Sequence, residues 1–341
     1  MELQTPDDIL DFLRAYIASA ALGTALELQL FWQLAERPMN AQEVAREYNI
    51  PVGRCRAWLE LLMGMNLLEQ QNGAYAPSSI AQGAILGTYH PDTWAFFAQQ
   101  ARERYPTGTD LKSHISHPES VWAAQGIEPP DWFTQIESEA QRAEIFTRSL
   151  YDFHQGSAEK LAKTLDMTDV QRLMDLGGGS GVMSLALLKQ YPQLTAVVVD
   201  IENVCIVGRE IAAETPMADR ITYHVADFLQ ETLPGGFDMI LQCDAGVYTE
   251  EMFGKLRDSL NEGGRLVIVT NLDGFSAWLA HTNELPSLQR LLTVFLGSLE
   301  RSKKATPVTT ADVKERLAKA GFQDITEQIL DNGMVVIQAR V

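Results

Sequence analysis

The residues best suited to do chemistry lie together at 175–181, where the chain reads Asp-Leu-Gly-Gly-Gly-Ser-Gly. Glycine lets a backbone turn sharply and approach a ligand closely. Where such a turn opens a helix, the unpaired N–H groups of the first helical turn face whatever molecule lies there. A dinucleotide-binding turn, G-x-G-x-x-G, would require glycine or alanine at position 182; that residue is Val182. The spacing of Gly177, Gly179 and Gly181, with Gly178 between and Asp175 ahead, suits a smaller ligand that carries a carboxylate and an ammonium group and no pyrophosphate.

Two more groups follow at matching places. Asp200, 19 residues past Gly181 and followed by Ile201, ends an apolar run where a carboxylate can take both hydroxyls of a ribose. In Ala226-Asp227-Phe228, Asp227 can accept from an adenine amino group and Phe228 can stack on the ring. A glycine-rich turn alone is as often structural as functional. Three such groups in register, at the ends of successive strands, point to an adenosyl ligand.

The elements that must hold these residues alternate strand and helix from about residue 157, the pattern of a mostly parallel, doubly wound sheet. Strands are expected at 171–176, 195–200, 222–226, 238–243 and 265–272, with helices at 181–191, 250–260 and 311–320. A helical excursion is expected over about 274–301, and Gly321 suits a left-handed helix cap. The chain finishes in two apolar strands, 322–330 and 334–340, around Asp331-Asn332-Gly333, a tight-turn sequence. A dehydrogenase sheet usually ends parallel, so this antiparallel ending argues against one.

Ahead of the sheet the pattern is helical. Apolar residues at three- and four-residue steps predict a helix over 7–35 that is apolar on more than one face, as a helix packed both on its own domain and on a partner subunit would be. Helices at 41–48 and 52–65, then a small hairpin around Asn72-Gly73, give the order of a winged helix. The module has two readings: DNA binding through Arg54 and Arg56, or structural reuse, and two arginines on so acidic a chain favour reuse. Residues 80–155 are again mostly helical, with aromatics from Tyr89 to Phe146 for a core or an apolar pocket. The domain expectation is therefore a helical and winged-helix dimerisation domain at 1–90, a helical linker contributing to a substrate pocket at 91–156, and a Rossmann-like catalytic domain at 157–341.

Composition sets limits. With 341 residues the chain is long enough for two domains. A net charge of −18 repels phosphate backbones and anionic lipid, so neither nucleic acid nor membrane is an expected partner. Three scattered cysteines, an acidic N-terminal stretch without a signal-peptide pattern, and no span of sufficient apolar length suit the cytoplasm. Six scattered histidines show no metal-binding spacing.

Over nearly its whole length the sequence resembles the class I S-adenosylmethionine-dependent methyltransferases, and within them the two-domain O-methyltransferases of small-molecule metabolism. The resemblance rests on the helical and winged front half, on Leu173–Gly181, Val199-Asp200, Ala226-Asp227-Phe228 with Leu233-Pro234, and on Asn261–Val269. It implies S-adenosyl-L-methionine as cofactor, a seven-stranded sheet with a C-terminal antiparallel hairpin, and a homodimer. It further implies that Asp175, Gly177, Gly178, Gly179 and Gly181 cradle the methionine end, Asp200 and Ile201 the ribose, and Asp227 and Phe228 the adenine, with Gln242 beside them.

The sequence departs from the family after the fourth strand. Many members carry there a Leu-His-Asp-Trp-like stretch whose histidine deprotonates the acceptor hydroxyl. This chain reads Gln242-Cys243-Asp244-Ala245-Gly246-Val247-Tyr248-Thr249, without histidine, and Thr270-Asn271 lacks the acid often found after the fifth strand. In-line methyl transfer needs alignment in a dry pocket above all. A phenol, with a pKa of about 10, also needs a base at neutral pH. Candidate replacements are His154, Asp244, Tyr248 and His281, each of which also has a bland reading as a capped loop or solvated surface. The leading expectation is methylation of a hydroxyl on a small, largely apolar or aromatic acceptor. Alternatives are methylation of carbon or nitrogen, a changed reaction such as decarboxylation or hydroxylation, and a ligand-sensing winged-helix regulator.

Overall fold

A computed structural model describes residues 4–117, 120–126, 132–272, 291–292, 295–297, 299, 308–330 and 334–341. The chain divides into two compact units, Met1–Thr109 and Asp110–Val341.

In the first unit the helix expected over 7–35 is three helices, Pro6–Leu13, Ala15–Glu27 and Leu30–Glu36. The chain bends by 46° between the first two, and Gln29, in a left-handed conformation (φ 55°), separates the second from the third. Burial explains the breaks. Pro6–Leu13 buries no residue, whereas Ala25, Leu26, Leu30, Phe31 and Leu34 all enter the unit's core. A straight helix would not bring those apolar faces to one core. Helices Ala41–Glu47 and Val52–Gly64 precede β1 (Leu68–Gln71) and β2 (Ala74–Pro77), which pair antiparallel. Asn72 (φ 53°) and Gly73 (φ 83°) make the hairpin turn with two positive φ angles, as their side chains allow. The winged-helix order is therefore present. Among the described residues no single helix is long and apolar enough to cross a membrane.

The second unit holds the sheet. Its strands are β3 (Arg172–Leu176), β4 (Thr195–Asp200), β5 (Ile221–Val225), β6 (Phe237–Cys243), β7 (Leu260–Thr270), β8 (Gln323–Ile329) and β9 (Val335–Arg340), in the order β5-β4-β3-β6-β7-β9-β8. The first five run parallel, and β9 lies antiparallel between β7 and β8. Successive residues point to opposite, equally buried faces: Leu173 and Met239 to one cluster, Met174 and Ile240 to the other. Apolar runs without polar alternation are what a sheet covered on both faces requires. The turn at Asp331-Asn332-Gly333 and most of the excursion at 274–301 lie outside the described residues.

Two boundaries differ from expectation. β7 begins at Leu260 and not at Arg265, because Gly263 (φ 72°) lets the chain turn within the strand. The Ala140–Thr164 helix runs unbroken through 157. Along it Thr147, Ala158 and Leu161 are buried and Tyr151 and His154 half-buried, a stripe at three- and four-residue spacing. Tyr151 and Leu161 both belong to the core cluster on the Leu173 face of the sheet.

Candidate active site

Strand order reverses between β3 and β6, and in such sheets ligands bind outside the carboxyl ends of the strands at that point. The glycine loop leaves β3 there. Gly177, Gly179 and Gly181 have φ of 64°, 59° and 78°, which only glycine adopts without strain. The Gly177 N–H donates to the Val199 carbonyl (2.8 Å), Gly179 N–H to Asp200 Oδ2 (2.9 Å) and Gly181 N–H to the Gly178 carbonyl (2.8 Å). Position 178 is glycine for a different reason. A Cβ there would fall 2.5 Å from Asp175 Cγ, since the Asp175 carboxyl lies directly against the loop.

Asp175 is fully buried. Its Oδ2 accepts from Ser184 Oγ (2.7 Å), while Oδ1 has no hydrogen-bond partner. Burial pushes its pKa up to about 6, against the Ser184 hydrogen bond and with some help from the Asp200 charge. Asp200 is 9% exposed, and its two oxygens accept from Ile201 N–H (2.8 Å) and Gly179 N–H. Burial raises its pKa too, against those two hydrogen bonds. Each carboxylate oxygen keeps acceptor capacity that ribose hydroxyls can use.

Ile201 is buried and caps the start of the Glu202–Ala213 helix, an element that sequence reading passed over. Phe228 is buried, and its ring approaches the place that a Cβ on Gly177 would take (3.8 Å). Asp227 is half-buried, its Oδ1 accepting from Leu229 N–H (2.9 Å). Gln242, fully buried at the end of β6, donates from Nε2 to the Val247 carbonyl (2.9 Å), and its Oε1 has no partner. The arrangement thus joins a glycine cradle, a carboxylate with acceptor capacity, an aromatic ring and buried oxygens without partners. These fit a ligand with an amino-acid end and a nucleoside end.

The candidate acid–base residues separate into two kinds. Asp244 follows β6 in a left-handed conformation (φ 47°), its N–H donating to the Val269 carbonyl (3.0 Å) and its Oδ1 accepting from Asn271 N–H (3.3 Å). Its side chain keeps open surface. Surrounding protein nevertheless desolvates it enough to raise its pKa, opposed by hydrogen bonds from Asn271 and Thr270 and by the charge of His154. His154 projects from the half-buried stripe of the Ala140–Thr164 helix; burial lowers its pKa and the charge of Asp244 opposes that. The charges of two residues 90 positions apart in the chain thus act on one another.

Tyr248 is placed otherwise. It is buried, and its hydroxyl donates to Thr270 Oγ1 (3.0 Å) within the core on the Met174 face. His281 lies outside the described residues. Sequence reading passed over Cys243, whose thiol is pushed well above its ordinary range by burial and by the charges of Asp175 and Asp244; its place as the last residue of an apolar strand gave no signal. Among the described residues no group of three or more His, Cys, Asp or Glu side chains is placed to hold a metal ion.

Comparison with known proteins agrees with this geometry. The family model for the O-methyltransferase domain matches residues 109–323, and that for the O-methyltransferase dimerisation domain matches 10–83. A 3-hydroxy-5-methyl-1-naphthoate 3-O-methyltransferase of Streptomyces sahachiroi is 29% identical over 269 residues, which cover 77% of this chain and 76% of that protein. The N,N-dimethyltransferase OxyT of Streptomyces rimosus is 25% identical over 328 residues, 95% of this chain and 92% of its own. Among solved structures, PigF with SAH has a TM-score of 0.80 at 20% identity, covering 99% of this chain and 100% of that one. The fold is therefore shared with structures of low sequence identity. Matched by the catalytic model over more than half its length, this chain belongs to the S-adenosylmethionine-dependent O-methyltransferases that carry a dimerisation domain.

Proposed function

We propose that this methyltransferase acts on a hydroxyl of a small aromatic, polyketide-like acceptor, and that His154 and Asp244 together do the work family members assign to a histidine after the fourth strand. The observation that carries the reading is the place of Asp244 directly after β6, at the carboxyl edge of the sheet, where its charge and that of His154 oppose the shift that burial imposes on each. When bound, S-adenosylmethionine supplies an electrophilic methyl carbon on a sulfonium. Asp200 takes the ribose, Asp227 and Phe228 the adenine, and the glycine loop the amino-acid end, with Asp175, Ile201 and Gln242 fixing that frame from beneath.

A phenolic acceptor is mostly protonated at neutral pH, so a base that takes its proton raises the rate. His154 suits that role because partial burial keeps its imidazole neutral. The Asp244 carboxylate then stabilises the imidazolium that forms. The Streptomyces sahachiroi relative is named for a hydroxynaphthoate substrate, which supports an aromatic acceptor. OxyT is named an N,N-dimethyltransferase, so an amine acceptor stands as the second reading; an amine is nucleophilic without a base.

The protein is also proposed to work as a homodimer in the cytoplasm. The Pro6–Leu13 and Ala15–Glu27 helices expose Ile9, Leu10, Phe12, Leu13, Tyr16 and Ile17, an apolar patch of the kind that marks a protein interface. The cysteines are free, as suits a reducing compartment. A role on DNA is disfavoured by the charge of −18, against which Arg54 and Arg56 stand beside Glu60.

Calorimetric titration with S-adenosylmethionine, S-adenosylhomocysteine and NAD, followed by methyl transfer to paired hydroxy- and amino-naphthoates, tests the reading. Binding of the adenosyl ligands alone and methylation of only the hydroxy compound are expected. Methylation of only the amino compound would overturn the oxygen assignment.

A further inference from the structure

The glycine loop is held at three points. Two holds come from β4: the Val199 carbonyl on Gly177 and the Asp200 carboxylate on Gly179. The third comes from β5. Tyr223 points with Ile221 into the core on the Leu173 face, and its hydroxyl donates to the Ser180 carbonyl (2.8 Å). That carbonyl belongs to the same peptide unit as the Gly181 N–H, which donates to the Gly178 carbonyl (2.8 Å). The last peptide plane of the loop is therefore tied at both ends, and it cannot rotate while the phenol is present.

Room for the ring is cut out of two other elements. A Cβ on Gly181 would lie 2.6 Å from Tyr223 Oη, and a Cβ on Gly208 would lie 2.3 Å from Tyr223 Cε1. Gly208 sits inside the Glu202–Ala213 helix, where glycine is an unfavourable choice that calls for a packing reason. The ring is that reason. At its backbone, Tyr223 is fixed by Arg209 Nη2, which donates to the Tyr223 carbonyl (3.0 Å). Asp200 must share its oxygens between the loop and a ribose, whereas the Tyr223 hydroxyl is buried behind the loop and has no ligand to serve.

We propose that Tyr223, seated in the slot left by Gly181 and Gly208, is the positioning residue that holds the cofactor loop ready to receive the amino-acid end of S-adenosylmethionine. Tyr223 touches no substrate; it acts through the Ser180–Gly181 peptide. Without the hydroxyl the Ser180 carbonyl is buried and unpaired, and relief comes from rotating that peptide out of its binding conformation.

The test is Tyr223→Phe in the full-length protein, which keeps the ring and removes only the hydroxyl. S-adenosylhomocysteine should bind about 5- to 50-fold more weakly by calorimetry, the range that corresponds to one lost buried hydrogen bond. At saturating cofactor, kcat and the acceptor KM should stay within about twofold of wild type. A dissociation constant within about twofold of wild type in the folded variant would overturn the proposal. So would a parallel rise in acceptor KM, which would mark general loosening. Should Tyr223→Phe fail to fold, Gly208→Ala decides the matter: it keeps the hydroxyl but displaces the ring, and must likewise weaken the cofactor alone. The proposal rests on the cofactor assignment, which the wild-type titration checks separately. Failure of wild-type protein to bind either adenosyl ligand would overturn both.

Discussion

The two halves of the cleft are built from different materials. On the β3–β4–β5 side the contacts are backbone N–H groups, glycines and one carboxylate, and nearly every one is fixed by a second hydrogen bond. On the β6–β7 side they are side chains: His154 from a long helix and Asp244 from a left-handed turn, coupled through space. The first half is proposed to meet a molecule that every member of the family uses. The second is proposed to meet the acceptor, and acceptors differ among relatives, as the hydroxynaphthoate and N,N-dimethyl names of two of them show. A backbone cradle suits a constant ligand because side-chain substitution hardly alters it. A side-chain pair suits a variable ligand because a few substitutions redirect it.

The comparison is most open to attack at Asp200. Asp200→Ala removes the acceptor for two backbone N–H groups as well as the proposed ribose contact. With charged hydrogen bonds worth about 1.5–3 kcal/mol each, S-adenosylhomocysteine should bind about 100-fold more weakly or worse. Titration showing less than about a threefold loss would mean that the cradle holds the cofactor without its carboxylate.

On the other side, His154→Ala should lower kcat on a phenolic acceptor about 100-fold, while cofactor affinity stays within twofold. The pH profile adds a sign. Burial holds the His154 pKa below its ordinary 6.5, and only the neutral ring accepts a proton. Activity should therefore rise with pH through that lowered value and be level at neutral pH. The Asp244 charge opposes the lowering, so Asp244→Asn should move the acid limb to still lower pH and reduce the plateau rate. An acid limb unmoved in Asp244→Asn would show that the two side chains are not coupled during turnover.

The same contrast governs what could be read from the amino-acid sequence. Asp175–Gly181, Asp200 and Asp227-Phe228 were legible because each is a local pattern at the end of an apolar strand, with spacing set by the strand and loop it belongs to. The parallel strands were legible for the same reason, β4 to the residue. His154 and Asp244 stood out singly, but the influence of one on the other depends on how a 25-residue helix packs against the Val182–Gln190 and Glu202–Ala213 helices, which no local spacing encodes. Tyr223 carries no local signal, because it lies inside a strand and its partner glycines lie on two other elements. The breaks at Arg14 and Gln29 were hidden because helical periodicity continues across them; only the shared core of Ala25 to Leu34 demands the turn.

Asp175 probes the cradle through stability. Its folded pKa of about 6 lies above its ordinary value of 3.8, so the folded state resists deprotonation. Its contribution is fully present below pH 3.8 and is lost as pH rises through about 6. That loss is worth roughly 2–3 kcal/mol at about 1.4 kcal/mol per pKa unit. Asp175→Asn, which keeps an acceptor for Ser184, should remove this slope, so that its denaturation midpoint gains on wild type between pH 4 and 7. Parallel stability curves for the two proteins across that range would show that the Asp175 carboxyl is solvated well enough to ionise at its ordinary pKa.

The smallest effect belongs to Tyr248, which shares the β6–β7 region with Asp244 yet faces away into the core. Its hydroxyl is committed to Thr270 Oγ1, and its carbonyl accepts from Arg316 Nη1 (2.7 Å), so the residue ties the loop after β6 to the end of β7 and to the Thr310–Lys319 helix. Tyr248→Phe keeps the ring in place, and Thr270 Oγ1 still accepts from the Leu272 N–H (3.2 Å). It should cost about 1 kcal/mol of stability, with kcat within twofold of wild type. A fall in kcat of tenfold or more, with stability unchanged, would instead put the Tyr248 phenol in contact with the acceptor. The acceptor side would then be a triad, and the division between a backbone half and a two-residue half of the cleft would have to be redrawn.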